Sequence, residues 1–215
     1  MGIFGDEGQA VMFDFDNAKF IDGYKQRFGP VTADLAGAIE FLLGKIEADT
    51  RFTENPVDRW KIAYCLATFK WETAHTLRPI DEHGGDAYFN KRYAPGTTAG
   101  TNVGNTQPGD GARYHGRGFV QLTGRFNYDR AGKFFKVDLI GNPDRAKEPE
   151  LAYEIAMEGM TKGWFTGAKL AKFFKPGAPP NYEDARTIIN GHDKAQTIAD
   201  LARRFDELLA NALPA

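Results

Sequence analysis

The sequence predicts a mainly α-helical domain, and three observations predict it. Two long segments carry apolar residues at helical spacing behind clear N-caps, and the last twenty residues repeat that pattern. Between them, a stretch crowded with Gly, Asn, Thr and Pro has no helical period at all. With 215 residues, 42% hydrophobic and 13% aromatic, the chain can bury one large core or two packed lobes, and it is not disordered.

The first helix with a core-facing stripe is "VTADLAGAIEFLLGKIEAD", where Leu35, Ile39, Leu42 and Ile46 share a face and Thr32 caps the start. The second, "NPVDRWKIAYCLATFKWETAH", has Asn55 as cap, Pro56 at the first helical position and Asp58 in the first turn. Trp60, Ala63, Tyr64, Ala67, Trp71 and Ala74 form its stripe, widened by Ile62, Leu66, Phe69 and Thr73, so the helix is expected to be central. Residues 84–118 read as a long irregular loop, and the part from 84 to 113 is expected to be mobile and to fold over a ligand. "FVQL" reads as a short extended piece leading into a helix from about Thr123, with Thr123 as N-cap, to Phe135. A turn at 142–144 precedes a helix near 149–163. A short helix around 168–174, "YEDARTIIN" stopped by Gly191, and a terminal helix bearing Ile198, Leu201, Phe205 and Leu208 complete the chain. No repeat or long linker divides it, so residues 1–215 are expected to form one domain, with 1–30 as an extension of uncertain role.

A net charge of −2 gives no general pull toward nucleic acid. A single cysteine, Cys65, makes no disulfide within the chain. The first sixteen residues are acidic and have no long apolar run, so neither a secretory signal nor a membrane span is expected.

The chemistry centres on "FKWETAHTLRPIDEHGG" (69–85). Glu72 lines up with Asp58, Lys61, Cys65 and Thr68, which is the pattern of a solvated acid. Against that, it follows Trp71 at the end of an aromatic-rich helix, where desolvation would fit a carboxyl for general-acid work. Glu82 lies ten residues on. An unbroken helix would carry it ~15 Å along the axis, too far for the two acids to flank one bond. A break at Arg78-Pro79 lets the chain return, and a separation of roughly 6.5–9.5 Å would suit an inverting glycosidase. Asp81 competes with Glu82 for any role. Glu72 and His75 form a single E-x-x-H pair. A helical di-iron site needs a second, and the four histidines are scattered, so no metal is expected.

The second motif is "ARYHGRGFVQLTGRFNYDRAG" (112–132). Gly116 and Gly118 allow close backbone approach, Gln121, Thr123 and Asn127 offer neutral hydrogen-bonding groups, and Tyr114 and Tyr128 offer flat faces to sugar rings. Lys91, Arg92, Arg113 and Arg117 suggest a basic rim for an anionic substrate.

The run Tyr114-His115-Gly116-Arg117-Gly118-Phe119-Val120-Gln121-Leu122-Thr123 with Asn127-Tyr128 resembles the signature of glycoside hydrolase family 19, the chitinases and the related bacteriophage and prophage endolysins. "WETAH" is similar to the family's H-E-T helix end, with Trp71 where His is usual, and Ile189-Asn190-Gly191 is similar to its I-N-G element. The resemblance implies a lysozyme-like fold of two helical lobes around a cleft. It implies Glu72 as general acid, Glu82 as base, Thr123 placing the attacking water, and Gln121, Asn127 and Asn190 holding the sugar, without a cofactor. The ten-residue spacing of the two acids looks like the endolysin branch. Having no signal peptide, no disulfide and no appended chitin-binding module, the chain is expected to be a monomer made in a bacterial host cytoplasm. It is expected to act on the peptidoglycan glycan strand at the cell wall after release, for which a holin-type membrane protein is one route. Chitin hydrolysis and non-catalytic glycan binding are the competing readings.

Overall fold

The computed structural model describes residues 11–214. The chain order is α1 (Asn17–Phe28), α2 (Ala33–Glu47), α3 (Pro56–Glu72), β1 (Ile80–Asp81), α4 (Asp86–Arg92), α5 (Thr98–Asn102), α6 (Asp110–Arg113), β2 (Arg117–Gly118), α7 (Arg125–Phe135), α8 (Pro149–Lys162), α9 (Leu170–Phe173), α10 (Tyr182–Ala185) and α11 (Ala195–Ala212). Short 3₁₀ turns cover Pro143–Lys147 and Arg186–Ile188. The mainly helical expectation holds, and the caps read from sequence act as such: Thr32 accepts from the amide of Leu35, and Asn55 from that of Asp58.

Two hydrophobic cores give the two lobes. The larger gathers α1, α2, α3, α8 and α11 around Phe20, Tyr24, Leu42, Tyr64, Phe69, Tyr153 and Phe205. In it α3 is buried almost all round from Ile62 to Lys70, as a central helix must be. The smaller core packs Tyr114, Leu122, Tyr128, Ala131, Leu139, Ala146 and Ile155. Between them runs a two-stranded antiparallel ladder pairing Ile80 with Gly118 and Asp81 with Arg117.

Several local expectations change. Residues 13–28 belong to the main core: Phe13, Phe15, Phe20 and Tyr24 are buried, and the Asp16 amide donates to Ala212 O at 2.9 Å. Residues 1–10 of the expected extension lie outside the described residues. The region read as one irregular loop contains α4, α5 and α6, each too short to show a period. Buried polar side chains tie them down. Asn105 Nδ2 donates to Tyr93 O at 2.9 Å and its Oδ1 accepts from the Arg125 amide at 2.8 Å, while Asp110 takes Arg125 Nη2 at 2.6 Å. "FVQL" is a tight turn rather than a strand. Gln121 has φ 54°, and Arg117 and Leu122 exchange backbone hydrogen bonds across it. Helix α7 then starts from Gly124, and the Thr123 hydroxyl, instead of capping it, donates to Gln121 O at 2.8 Å.

The break between the two acids is earlier and tighter than Arg78-Pro79. α3 ends at Glu72, and Ala74, His75 and Leu77 all take positive φ (49°, 69° and 54°). Left-handed backbone costs a residue with a side chain ~1 kcal/mol or more, so something must hold it. Thr73 does: fully buried, its hydroxyl donates to Phe69 O at 2.7 Å and accepts the Leu77 amide at 3.0 Å.

Candidate active site

Glu72 is not the solvated acid its neighbours suggested, because Cys65 and Thr68 on the same stripe are buried. Its side chain is 17% exposed and accepts Arg186 Nη1 at 2.6 Å. Arg186, only 3% exposed, comes from the 3₁₀ turn after α10 and also donates Nε to Asp193 O at 3.1 Å. A guanidinium, not an aromatic wall, is therefore the partner that fixes this carboxylate. The Asn190 amide donates to Arg186 O at 3.1 Å, and Asn190 Oδ1 accepts the Gly191 amide at 2.8 Å, which places Asn190 in the same turn as the partner of Glu72.

Glu82 follows β1 and is held against the start of β2. Its amide donates to Gly116 O at 2.7 Å, Oε2 accepts the Gly116 amide at 3.1 Å, and Oε1 accepts the Tyr93 hydroxyl at 2.9 Å. Burial, then the hydrogen bond to Glu82, push the Tyr93 hydroxyl up to about 12, so it stays a donor at neutral pH. A β-carbon at Gly116 would stand 2.9 Å from Gln121 Oε1 and 3.1 Å from Glu82 Oε2, so the glycine is what lets each of these side chains lie close to the backbone there. Asp81, the competitor, is spent on cations. Burial works to raise its pKa, but Lys147 at 2.6 Å, His115 at 3.1 Å and Arg117 at 3.3 Å outweigh that and hold it below the ordinary range.

Gln121 donates long hydrogen bonds, both 3.4 Å, to Ile80 O and Gly118 O. Asn127 Nδ2 donates to Thr123 O at 2.7 Å, linking the first turn of α7 to the strand-turn that carries Gln121. Glu82, Gln121, Thr123 and Asn127 thus form one connected group on the ladder side, and Glu72 and Asn190 another around Arg186.

Three expected substrate contacts are core residues instead. Tyr114 and Tyr128 are buried, with ring centroids 5.3 Å apart, and neither presents a face to a sugar. Arg117 is buried between Asp144 at 2.9 Å, Asp81 and the Tyr128 hydroxyl at 3.0 Å. A side chain with its charge neutralised inside the protein is no part of a basic rim. Arg113 is exposed, as are Lys91 and Arg92, but its guanidinium is already hydrogen-bonded to Ile140 O at 2.9 Å and Gly141 O at 3.1 Å. Sequence reasoning missed Arg186 and Tyr93. Neither sits in a motif, and their partners lie 114 and 11 residues away.

Among the described residues, no three His, Cys, Asp or Glu side chains converge to hold a metal ion, and no helix is long and apolar enough to cross a membrane. A cavity of about 700 Å³ lies on the smaller lobe beside Asp86, Asn90, Arg113 and Arg125, and neither Glu72 nor Glu82 lines it.

The fold is shared with solved structures. Chitinase C of Streptomyces griseus HUT6037 superposes with a TM-score of 0.60 at 23% identity, covering 99% of both chains. A bacterial family 19 chitinase gives 0.53 at 22% identity, covering 91% of this chain and 94% of that one. Among curated proteins, an acidic endochitinase of Petunia hybrida is 39% identical over 84 residues, 37% of this chain and 28% of that protein. Chitinase 7 of Oryza sativa subsp. japonica is 30% identical over 125 residues, 57% of this chain and 33% of that protein. The chain spans about a third or less of the length of these curated relatives. The chitinase class I family matches residues 53–169, more than half of the chain and all of the sequence from Glu72 to Tyr128. The chain belongs to glycoside hydrolase family 19, the class I chitinases.

Proposed function

We propose that this protein hydrolyses β-1,4 bonds between N-acetylhexosamines with inversion, Glu72 acting as general acid and Glu82 as general base. The observation that carries this reading is the separate anchoring of the two carboxylates. Glu72 is fixed by Arg186 from the large-core side, and Glu82 by Tyr93 and the Gly116 amide from the ladder side.

Glu72 gives its proton to the leaving glycosidic oxygen, and Arg186 then faces the carboxylate left behind. Water attacks the anomeric carbon from the opposite face while Glu82 takes its proton. The Thr123 hydroxyl proton is committed to Gln121 O, so its oxygen is free to accept from that water and orient it. Gln121, Asn127 and Asn190 hold the acetamide and hydroxyl groups of the sugars.

Chitin and peptidoglycan share this backbone, and we read the substrate as peptidoglycan. The lone Cys65 is buried and makes no disulfide, which suits synthesis in a bacterial cytoplasm before release to the wall, as in the endolysin branch. Chitin is the second reading, favoured by the endochitinases among the relatives.

The test is hydrolysis of purified peptidoglycan and of chitin hexamer by the wild type, Glu72→Gln and Glu82→Gln, with the product anomer read by proton NMR. Folded but inactive variants and an α-anomeric product are expected. Activity retained in Glu72→Gln, or a β product, would overturn the assignment, and cleavage of chitin alone would replace the substrate.

A further inference from the structure

Helix α7 carries an aromatic and cationic face beside the proposed sugar-binding residues that the reaction does not use. Phe126, Arg130 and Phe134 are spaced four apart and share one side of the helix. Phe126 is 57% and Phe134 52% exposed, two of the few large apolar side chains so open to water among the described residues. Trp164, just past the end of α8, packs edge-on to Phe134 with ring centroids 5.2 Å apart. The Arg130 guanidinium lies between the Phe126 ring at 5.1 Å and the Trp164 ring at 5.3 Å.

Among the described residues, the charge of Arg130 is uncompensated. Its partners are neutral, Asn127 Oδ1 at 2.6 Å and the Trp164 carbonyl, both through Nη2, and no carboxylate among the described residues pairs with it. Nε is buried without a partner, and burial pulls the guanidinium below its ordinary pKa. A half-buried cation lacking a counter-ion favours an anion from outside. The face is also continuous with the site, because Arg130 holds Asn127, and Asn127 holds the backbone of Thr123.

We propose that the Phe126–Arg130–Phe134 face of α7, with Trp164, binds the carboxylate-bearing sugars of an anionic N-acetylhexosamine glycan, and so selects such a glycan over a neutral one. The aromatic faces take the apolar sides of the pyranose rings, and Arg130 takes the carboxylate. This rests on the reading of the protein as a glycan hydrolase.

The experiment measures binding in the Glu72→Gln chain, where no turnover interferes. The probes are a tetrasaccharide of alternating N-acetylglucosamine and N-acetylmuramic acid, the same molecule with its carboxyls amidated, and chitotetraose. The acid form is expected to bind about tenfold tighter than the amidated form, with the advantage shrinking as salt rises. Arg130→Gln is expected to remove that advantage, so that the acid form binds no tighter than the amidated one. Equal binding of acid and amidated ligands by the parent chain needs no variant to interpret and would overturn the proposal. So would an equal loss of all three ligands in a folded Arg130→Gln, which would make Arg130 a structural residue. Self-association abolished by Phe134→Ser would assign the face to a second copy instead. Wild-type hydrolysis of the acid tetrasaccharide is followed in parallel: selective binding without cleavage would end the catalytic reading while the anion site stood.

Discussion

Arg186 and Glu72 are 114 residues apart in the chain and 2.6 Å apart in the fold. The arginine is the more buried of the two and has Asp193 O as its further anchor, so it is a fixed post against which the carboxylate is set. Arg186→Ala leaves Glu72 without its partner and is expected to lower kcat on the order of 10²-fold through misplacement of the acid. It should also destabilise the fold by about 3 kcal/mol, because one half of a buried pair is removed. Arg186→Lys keeps the charge but not the planar fork, and is expected to recover stability more than activity. Urea titration alongside kcat on either glycan separates the two effects.

Tyr93 and Gly116 do for Glu82 what Arg186 does for Glu72. Tyr93→Phe removes one donor from a carboxylate while keeping the ring, and is expected to cost about tenfold in kcat, about 1.4 kcal/mol. Gly116→Ala pushes a methyl group against Glu82 Oε2 and Gln121 Oε1, and should depress kcat further with KM also raised. Steady-state kinetics on a defined oligosaccharide decides. An unchanged kcat in both variants would show that the hold on Glu82 is dispensable.

The turn between the acids is tested at Thr73. Thr73→Val keeps the shape but strands the buried Leu77 amide, at an expected cost of about 1–3 kcal/mol in unfolding free energy. Because three left-handed residues depend on that turn, activity should fall more than the stability loss at the assay temperature accounts for. Thr73→Ser, which keeps the hydroxyl, should be close to wild type in both.

Lys70, two residues before Glu72, is buried with its amine on the Tyr24 hydroxyl at 2.6 Å and over the Phe28 ring at 4.7 Å. Burial without a carboxylate lowers its pKa to about 8 from 10.5, while burial raises Tyr24 to about 12. Between pH 8 and 10.5 the unfolded chain binds more protons at Lys70 than the folded one, so this residue's contribution to stability rises with pH across that window. Tyr24 works in the opposite sense above pH 10, where the folded form keeps a proton the unfolded form has lost. Subtracting the stability of Lys70→Met from that of the wild type isolates the lysine, and the difference should climb from pH 8 to pH 10. A flat difference would show that Lys70 keeps its ordinary affinity for protons.

Much of the helical frame was legible because its causes are local. The caps at Thr32 and Asn55 and the stripes on α2, α11 and most of α3 are interactions within a few residues, and the structure keeps them, except that α3 stops at Glu72 and leaves Ala74 outside the helix and exposed. Helices α4, α5 and α6 were not legible, since seven residues or fewer show no period and their stability comes from Asn105 and Asp110. Tyr114 and Tyr128 show the same limit at the site. Their place in the motif was plain, but which core closes over a ring depends on residues such as Leu139 and Ile155 further along the chain.

By itself the sequence determined that this is a helical protein, that Glu72 lies at the end of one helix and Glu82 follows a break, and that a glycine-rich motif carrying Gln121, Thr123 and Asn127 leads into the next long helix. Those are properties of neighbours, fixed by spacing, caps and glycine. Only the tertiary structure decided that Arg186 and Tyr93 hold the two acids and that Asp81 and Arg117 neutralise one another. Each depends on charges and donors brought within about 3 Å by packing, and an approach of that kind between distant segments leaves no pattern in the order of residues.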